Sequence, residues 1–418
     1  GSVYLPTIHG SASLLDLPGR RQADPEGYAG LRKAISAAIE QVKNDFAVQS
    51  RFGRLWLRNT IANLRFTVHD ASEAHVTLRR FRDREVTVVA AGPSLEQHLS
   101  KLAVIRESVV LSTDSALPML SEAGIVPDAV VTVDPQHVSY LHYLSAGFPG
   151  VPILADLAAA PTVFALNPNL VPLFSNHPLH QLLQLLGARL PSFDSAGGNV
   201  AYAAVSLAER LGASSIRLVG ADFSYPNGRT YARGSSIHHY LSARAVRTRP
   251  LETLHFCFLW DRPGVYRDAS KPWLMRQPAL DRYRDQMTRL VASLQVPVRP
   301  GGGEGHPIST ITDEGAALER SGGSNQFAPP ADTMHGKPEI GVSLPPGLLG
   351  DLKKLFTGSH LDVELFDAEE SARARDRAVL FALLPLAAWL RRAAPELPAE
   401  ELLLRARNEA IAIVDRFL

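Results

Sequence analysis

The sequence predicts a doubly wound α/β domain with a mostly parallel sheet over residues 85–300, set between helical regions at the two ends of the chain. Short runs of apolar and β-branched residues recur through this stretch, and amphipathic patterns at helical spacing separate them. Several of the runs end in turns rich in Gly, Ser or Asp. Strand, turn and helix in that alternation build βαβ units, and strands apolar on both faces need helices on both sides of the sheet.

Taken in order, Leu31, Ile35, Ile39, Val42 and Phe46 recur at helical spacing, and Leu57, Ile61, Leu64 and Val68 form a second stripe. Two long helices are predicted, broken at Arg51-Phe52-Gly53-Arg54. Asn59 and Asn63 share a face of the second, as paired amides for a ligand or as packing contacts. Strands are predicted at 86–90, 109–112, 129–133, 152–155 and 216–219, and a last one near 296–298. Helices are predicted at 95–102, 116–123, 137–146, 178–186, 200–211 and 277–294. Gly301-Gly302-Gly303-Glu304-Gly305 and a Gly, Pro, Ser and Asn-rich stretch read as a linker. Helices at 347–356, 368–394 and 398–418 follow, with Pro385 expected to kink the middle one. Its stripe of Leu380, Leu383, Leu384, Ala387 and Leu390 reads as core packing or as the contact of a homo-oligomer. The expected divisions are a helical region 1–84, a nucleotide-binding catalytic domain 85–300, a linker 301–341 and a helical region 342–418.

Composition narrows the function classes. Lys and Arg number 43 against 42 Asp and Glu, a net charge of +1. That balance supplies no general field for collecting nucleic acid or an anionic membrane, so any anion site is local and neither is an expected partner. A single cysteine, Cys257, excludes an internal disulfide framework and a multi-cysteine metal cluster, which suits a reducing cytoplasm. No apolar run approaches the roughly 18 residues of a membrane span, and no signal-peptide pattern opens the chain.

Four clusters carry the chemistry. In Val86-Thr87-Val88-Val89-Ala90-Ala91-Gly92-Pro93-Ser94-Leu95 a buried strand runs into a small-residue turn. Gly92 permits close approach of a ligand, Pro93 sets the turn, and Ser94 offers a cap or a hydroxyl beside a helix start that favours phosphate. The segment is neither a Walker loop nor a dinucleotide fingerprint. Two more strands end in Asp114 and Asp134, and the carboxyl ends of parallel strands form the ligand crevice of open α/β sheets. These acids suit ribose hydroxyls, magnesium or an amine, or serve as helix caps. Ser195-Ala196-Gly197-Gly198-Asn199 opens a helix and forms a second anion-friendly turn. Asp222, Tyr225, Arg229, Tyr231 and Arg233 gather after the strand at 216–219, where phenols and guanidinium groups can stabilise charge on a departing phosphate. His238, His239, His177 and His255, the last in a strand-like stretch, are candidate general bases. No serine-hydrolase elbow or zinc-hydrolase motif is present.

At these clusters the chain resembles the family that joins bacterial motility accessory factors (Maf, flagellin glycosyltransferases) to archaeal 6-hydroxymethylpterin pyrophosphokinases of MptE type. The resemblance covers roughly residues 50–300 and is carried by Trp56-Leu57-Arg58-Asn59 with Asn63, Ala91-Gly92-Pro93-Ser94-Leu95, Thr113-Asp114-Ser115, Gly124-Ile125-Val126-Pro127-Asp128, Asp134-Pro135, Gly197-Gly198-Asn199-Val200 and Gly220-Ala221-Asp222. Asp222, Tyr225 and Tyr231 are also similar in order to the leaving-group loop of bacterial sialyltransferases that use CMP-activated sugars. The resemblance implies a Rossmann-like, sialyltransferase-like fold. It implies a nucleotide site lined by Gly92, Pro93, Ser94, Asp114, Asp134 and Asp222, with Ser195, Gly197, Gly198 and Asn199 facing the donor. The sialyltransferase base histidine has no counterpart by motif.

Three readings follow. The first is transfer of a nonulosonic, sialic-acid-like sugar from a CMP donor to Ser or Thr of flagellin or a similar acceptor, with Tyr225, Tyr231 and Arg233 on the leaving nucleotide and a histidine such as His238 or His255 taking the proton. The second is pyrophosphoryl transfer from ATP to a hydroxymethyl pterin, with Asp114, Asp134 and Asp222 holding magnesium. The third is a non-catalytic nucleotide-binding or motility assembly protein. No cofactor other than that magnesium is implied.

Overall fold

Seven strands make the central sheet: β1 (Glu85–Val89), β2 (Val109–Thr113), β3 (Ala129–Thr132), β4 (Ile153–Asp156), β5 (Leu170–Leu173), β6 (Ser215–Val219) and, late in the chain, Val298–Pro300. The computed structural model describes residues 4–66, 71–104, 107–147, 150–166, 169–308, 342–359, 361 and 374–418. Val68, the linker from residue 309 onward and the first residues of the helix expected at 368–394 lie outside them. Two compact units divide the chain: Phe66–Asn176 with Arg189–Ser343, and Gly1–Arg65 with His177–Ala188 and Leu344–Leu418.

In the first unit every neighbouring pair of the seven strands is parallel. β1 is central, its Val88 opposite Leu111 of β2 on one side and Leu218 of β6 on the other. The chain steps outward from β1 through β2, β3 and β4 to β5, then returns to place β6 on the far side of β1, with Val298–Pro300 outside it. Helices cover both faces, as the wholly buried β2 and β3 and the buried Val86–Val89 of β1 require. This is the Rossmann-like α/β fold that the sequence predicts. The strand order reverses between β1 and β6, and the crevice beyond the carboxyl ends at such a point is where open α/β sheets bind ligands.

A second, smaller sheet has no counterpart in the sequence reading. β7 (Tyr225–Pro226) pairs antiparallel with β9 (Leu274–Arg276), which pairs in turn with β8 (Tyr266–Arg267), leaving Val298–Pro300 as β10. The strand-like stretch around His255 is instead a helix, Leu251–Trp260. Its continuous run of Leu, Phe and Trp has no two-residue alternation, and only Leu254 and Leu259 are buried.

The other unit is helical. The two helices expected near the N-terminus are one, Pro25–Asn63, started by the Asp24 carboxylate accepting from the Gly27 amide. Gly53 does not break it: a Cβ there would overlap the carbonyl oxygen of Pro385, so glycine serves close packing against the helix Ala374–Ala393. That helix continues through Pro385, and Leu380, Leu383 and Leu386 are fully buried. Of the two predicted stripes, Leu57 and Ile61 of the second are buried while Leu31 and Ile35 of the first are exposed. Asn59 and Asn63 are fully buried within this unit. Among the described residues no helix is long and apolar enough to cross a membrane.

Candidate functional site

The loops after β1 and β6 meet at the strand-order reversal. Asp222 is almost fully buried, and its Oδ2 accepts from the Ser94 amide at 2.8 Å. The Gly92 amide donates to the Gly220 carbonyl at 2.8 Å, and the Leu95 amide to the Gly92 carbonyl at 3.0 Å. Glu96 collects the Arg229 guanidinium at 3.1 Å and the Arg233 amide at 2.8 Å. The glycine-proline-serine bend and the aspartate-tyrosine segment are therefore one structure. The bend differs from an open phosphate cradle, because its amides are already donated within the protein and a carboxylate stands where an anion would sit. Burial pushes the Asp222 pKa up, against the pull of the Ser94 amide. Gly92 is required for space: a Cβ would overlap the Asp222 carboxylate, and Gly303 and Gly305 close on Asp222 and Ser94 from the segment after β10.

Acids stand at the ends of β2, β3 and β4. Asp114 is buried and accepts the Thr132 hydroxyl at 2.6 Å and the Ser115 amide at 2.7 Å. Burial raises its pKa, the charge of His142 lowers it, and Asp134 adds a like-charge push. Asp134 is half-buried and accepts the Gln136 amide at 2.8 Å. Asp156, which follows the same strand-to-acid pattern but escapes the sequence reading, is buried, and burial lifts its pKa to about 7. A carboxyl raised from 3.8 holds its proton in the folded state while the unfolded chain has lost it, so stability falls as pH rises from about 4 to about 7. Replacing Asp156 with Asn is expected to flatten that slope and to raise stability above pH 7 by up to roughly 4 kcal/mol. Urea unfolding of both proteins from pH 4 to 8 measures it, and parallel curves would contradict it.

Beside these acids, the segment after β6 brings Tyr225 and Tyr231 together with Arg262. Tyr225 is 4% exposed and donates to Gln277 Oε1 at 2.7 Å, so its hydroxyl is a fixed part of the wall. Tyr231 makes no hydrogen bond among the described residues. Burial raises its pKa, Arg262 lowers it, and the charges of Asp114 and Asp134 raise it further, which places all four around one region. Arg262 stands next to Tyr225 as well. Its Nε is buried without a hydrogen-bond partner, its guanidinium packs over Phe258, and no carboxylate pairs with it among the described residues. A partly buried cation facing two phenols without a counter-ion is arranged for an anion. Arg262 gives no signal in the sequence because it follows an ordinary helix more than thirty residues beyond β7.

Ser195, Gly197, Gly198 and Asn199 form the turn that opens the helix Val200–Arg210. Asn199 is a cap, its Oδ1 accepting from the Tyr202 amide at 2.9 Å, and the Gly198 amide donates to the Ser195 carbonyl at 3.1 Å. Gly198 has φ +63°, and a Cβ on it would touch Tyr283 at 3.3 Å. Tyr283 in turn acts on both Tyr225 and Tyr231, which ties this turn to the tyrosine and arginine group.

The remaining expected residues have other neighbours. Arg233 is an exposed side chain held toward Glu96, with Arg262 in the position beside the tyrosines. His238 and His255 face each other at 5.9 Å between ring centroids, and burial lowers both pKa values. Arg229 also acts on His255, and Glu122 on His238, while His239 pairs with Glu122 at 2.5 Å. His177, in the helical unit, caps the helix Pro178–Leu185, and burial depresses its pKa to about 4.

A family model described as 6-hydroxymethylpterin diphosphokinase MptE-like matches residues 58–228. An uncharacterized protein of Treponema pallidum (strain Nichols) is 31% identical over 150 residues, covering 35% of this chain and 70% of that relative. Two further uncharacterized proteins of the same organism are 31% and 33% identical, covering 34% and 37% of this chain. The chain spans only 40% and 57% of their own lengths. Among solved structures, that of a Maf glycosyltransferase from Magnetospirillum magneticum AMB-1 aligns with a TM-score of 0.43 and 13% identity, covering 87% of this chain and 54% of the other.

Proposed function

Since this chain belongs to the MptE-like family, we propose that it is a nucleotide-dependent transferase, moving a nonulosonic sugar from a CMP donor to Ser or Thr of flagellin or a similar acceptor. The single observation that carries this reading is Arg262, an unpaired and partly buried cation set against Tyr225 and Tyr231 at the carboxyl edge of the sheet. When the bond to an activated sugar breaks, charge builds on the departing phosphate. A preorganised guanidinium and a phenol in a half-dry site stabilise that charge more than the same groups would in water. The Tyr231 hydroxyl supplies a donor, and Tyr225, bound to Gln277, holds the wall.

Tyr231→Phe keeps the ring and removes one hydroxyl. Turnover is expected to fall by roughly tenfold to a hundredfold, with a smaller loss of CMP affinity. Unchanged turnover in a CMP-release assay would contradict the role.

The family description favours a second reading, pyrophosphoryl transfer from ATP to a hydroxymethyl pterin. Its magnesium would fall to Asp114, Asp134 and Asp222, and these do not suit it. Asp222 is engaged by the Ser94 amide under packed glycines, and the Asp114 oxygens accept from Thr132 and Ser115 with burial favouring the neutral acid. Among the described residues no three of His, Cys, Asp and Glu gather as metal ligands. Thermal-shift titration separates the readings: stabilisation by CMP supports the first, stabilisation by ATP with magnesium supports the second, and no response to either opposes both.

A further inference from the structure

We propose that His142 accepts the proton of the incoming acceptor hydroxyl, with Ser236 and Asp114 positioning it; this assignment rests on the transferase reading above. His142 lies on the short helix Tyr140–Ser145 that follows β3. Its Nδ1 is 2.7 Å from the hydroxyl of Ser236, a buried residue that opens the helix Ser236–Ser242 just beyond Tyr231. The charge of His142 also acts on the Asp114 carboxylate, which accepts from the Thr132 hydroxyl and the Ser115 amide. In the tautomer this assignment requires, Nδ1–H donates to Ser236 and Nε2 keeps its lone pair; Nε2 has no hydrogen-bond partner among the described residues.

The ring is half-exposed, so that nitrogen is accessible to a substrate. Asp114 also acts on Tyr231, so the basic nitrogen and the group that meets the leaving phosphate share one carboxylate neighbour. His238 and His255 have no such relation, since their charged neighbours are each other and residues such as Glu122 and Arg229.

The step balances. The acceptor oxygen forms its bond to the anomeric carbon as its proton passes to His142 Nε2. The bond from that carbon to the phosphate oxygen breaks, and its electron pair leaves on CMP beside Arg262 and Tyr231. The imidazolium then returns its proton to solvent.

Two measurements on the full chain test the assignment. Nitrogen-15 NMR of the histidine rings should find His142 as the Nδ1–H tautomer, and Ser236→Ala should abolish that preference. His142→Asn should slow CMP release from CMP-N-acetylneuraminate by about a hundredfold or more while leaving CMP affinity within about threefold. A proton fixed on Nε2, or a His142→Asn protein that releases CMP at nearly the wild-type rate, overturns the proposal. If the tautomer is as stated but the wild-type protein neither binds CMP nor releases it, the donor assignment fails while the basic nitrogen is upheld.

Discussion

Arg262→Ala is expected to cut turnover by roughly a hundredfold to a thousandfold and to weaken CMP binding, without unfolding the protein. The guanidinium has no acid partner among the described residues, and its Nε is buried without a hydrogen bond. A cation with no acid partner gains little from its surroundings beyond the ring of Phe258, so its removal should leave thermal stability nearly unchanged. That combination separates it from a structural residue, whose loss would lower stability and activity together. Arg262→Lys should recover only part of the loss, because an ammonium lacks the planar fork that grips a phosphate from two sides. Equal CMP affinity and turnover in the wild-type and alanine proteins would remove the basis of the functional reading.

Gly92→Ala is expected to destabilise the protein by at least about 1–3 kcal/mol. Gly92 has φ −69° and ψ 160°, which any residue can adopt, so the effect comes from space alone. A methyl group there would overlap the Asp222 carboxylate and come within 2.5 Å of the Gly220 carbonyl oxygen. Neither can retreat. Asp222 is held by the Ser94 amide and packed under Gly303 and Gly305, and Gly220, at φ +72°, is itself seated against the Ala90 carbonyl. The loops after β1 and β6 would have to part. Gly350→Ala is the control: nothing lies within 4 Å of its Cβ position on the helix Leu348–Gly358, so it should be neutral or slightly stabilising. Chemical denaturation measures both changes, and a Gly92→Ala protein as stable as wild type would contradict this picture of the bend.

These two residues show what the sequence makes legible. The strands from β1 to β4 stand out because burial on both faces leaves largely apolar runs, β6 keeps Ile216, Leu218 and Val219 around a half-buried Arg217, and each points to the strand-end loop behind it. β5 carries Pro172 and follows the sequence Asn167-Pro168-Asn169, so it lacks that signature. The strands β7, β8 and β9 have only two or three residues each, too few to display any period. Gly53 reads as a helix breaker because glycine disfavours helix interiors, whereas the packing of Pro385 across it decides the outcome.

At the site, Asp114, Asp134, Tyr225 and Tyr231 are legible because each lies at or just after the end of a strand. Gly92 is legible for a different reason from the one the structure supplies, as room for a carboxylate. Arg262, His142, Ser236 and Tyr283 are not legible, since each sits on or beside a helix in an unremarked context. Only the fold brings them to the tyrosines and acids. Asp156 repeats the pattern of Asp114 and Asp134 and could have been found with them.

The central claim is that a nucleotide phosphate is held by Arg262 and Tyr231 and not by the amides of the Gly92 bend. A crystal structure of the protein with CMP tests it most directly. The phosphate is expected within hydrogen-bonding distance of both side chains, with Asp222 still bound to the Ser94 amide. A phosphate seated on the Ser94 and Leu95 amides with Asp222 displaced, or lying away from Arg262, would contradict it.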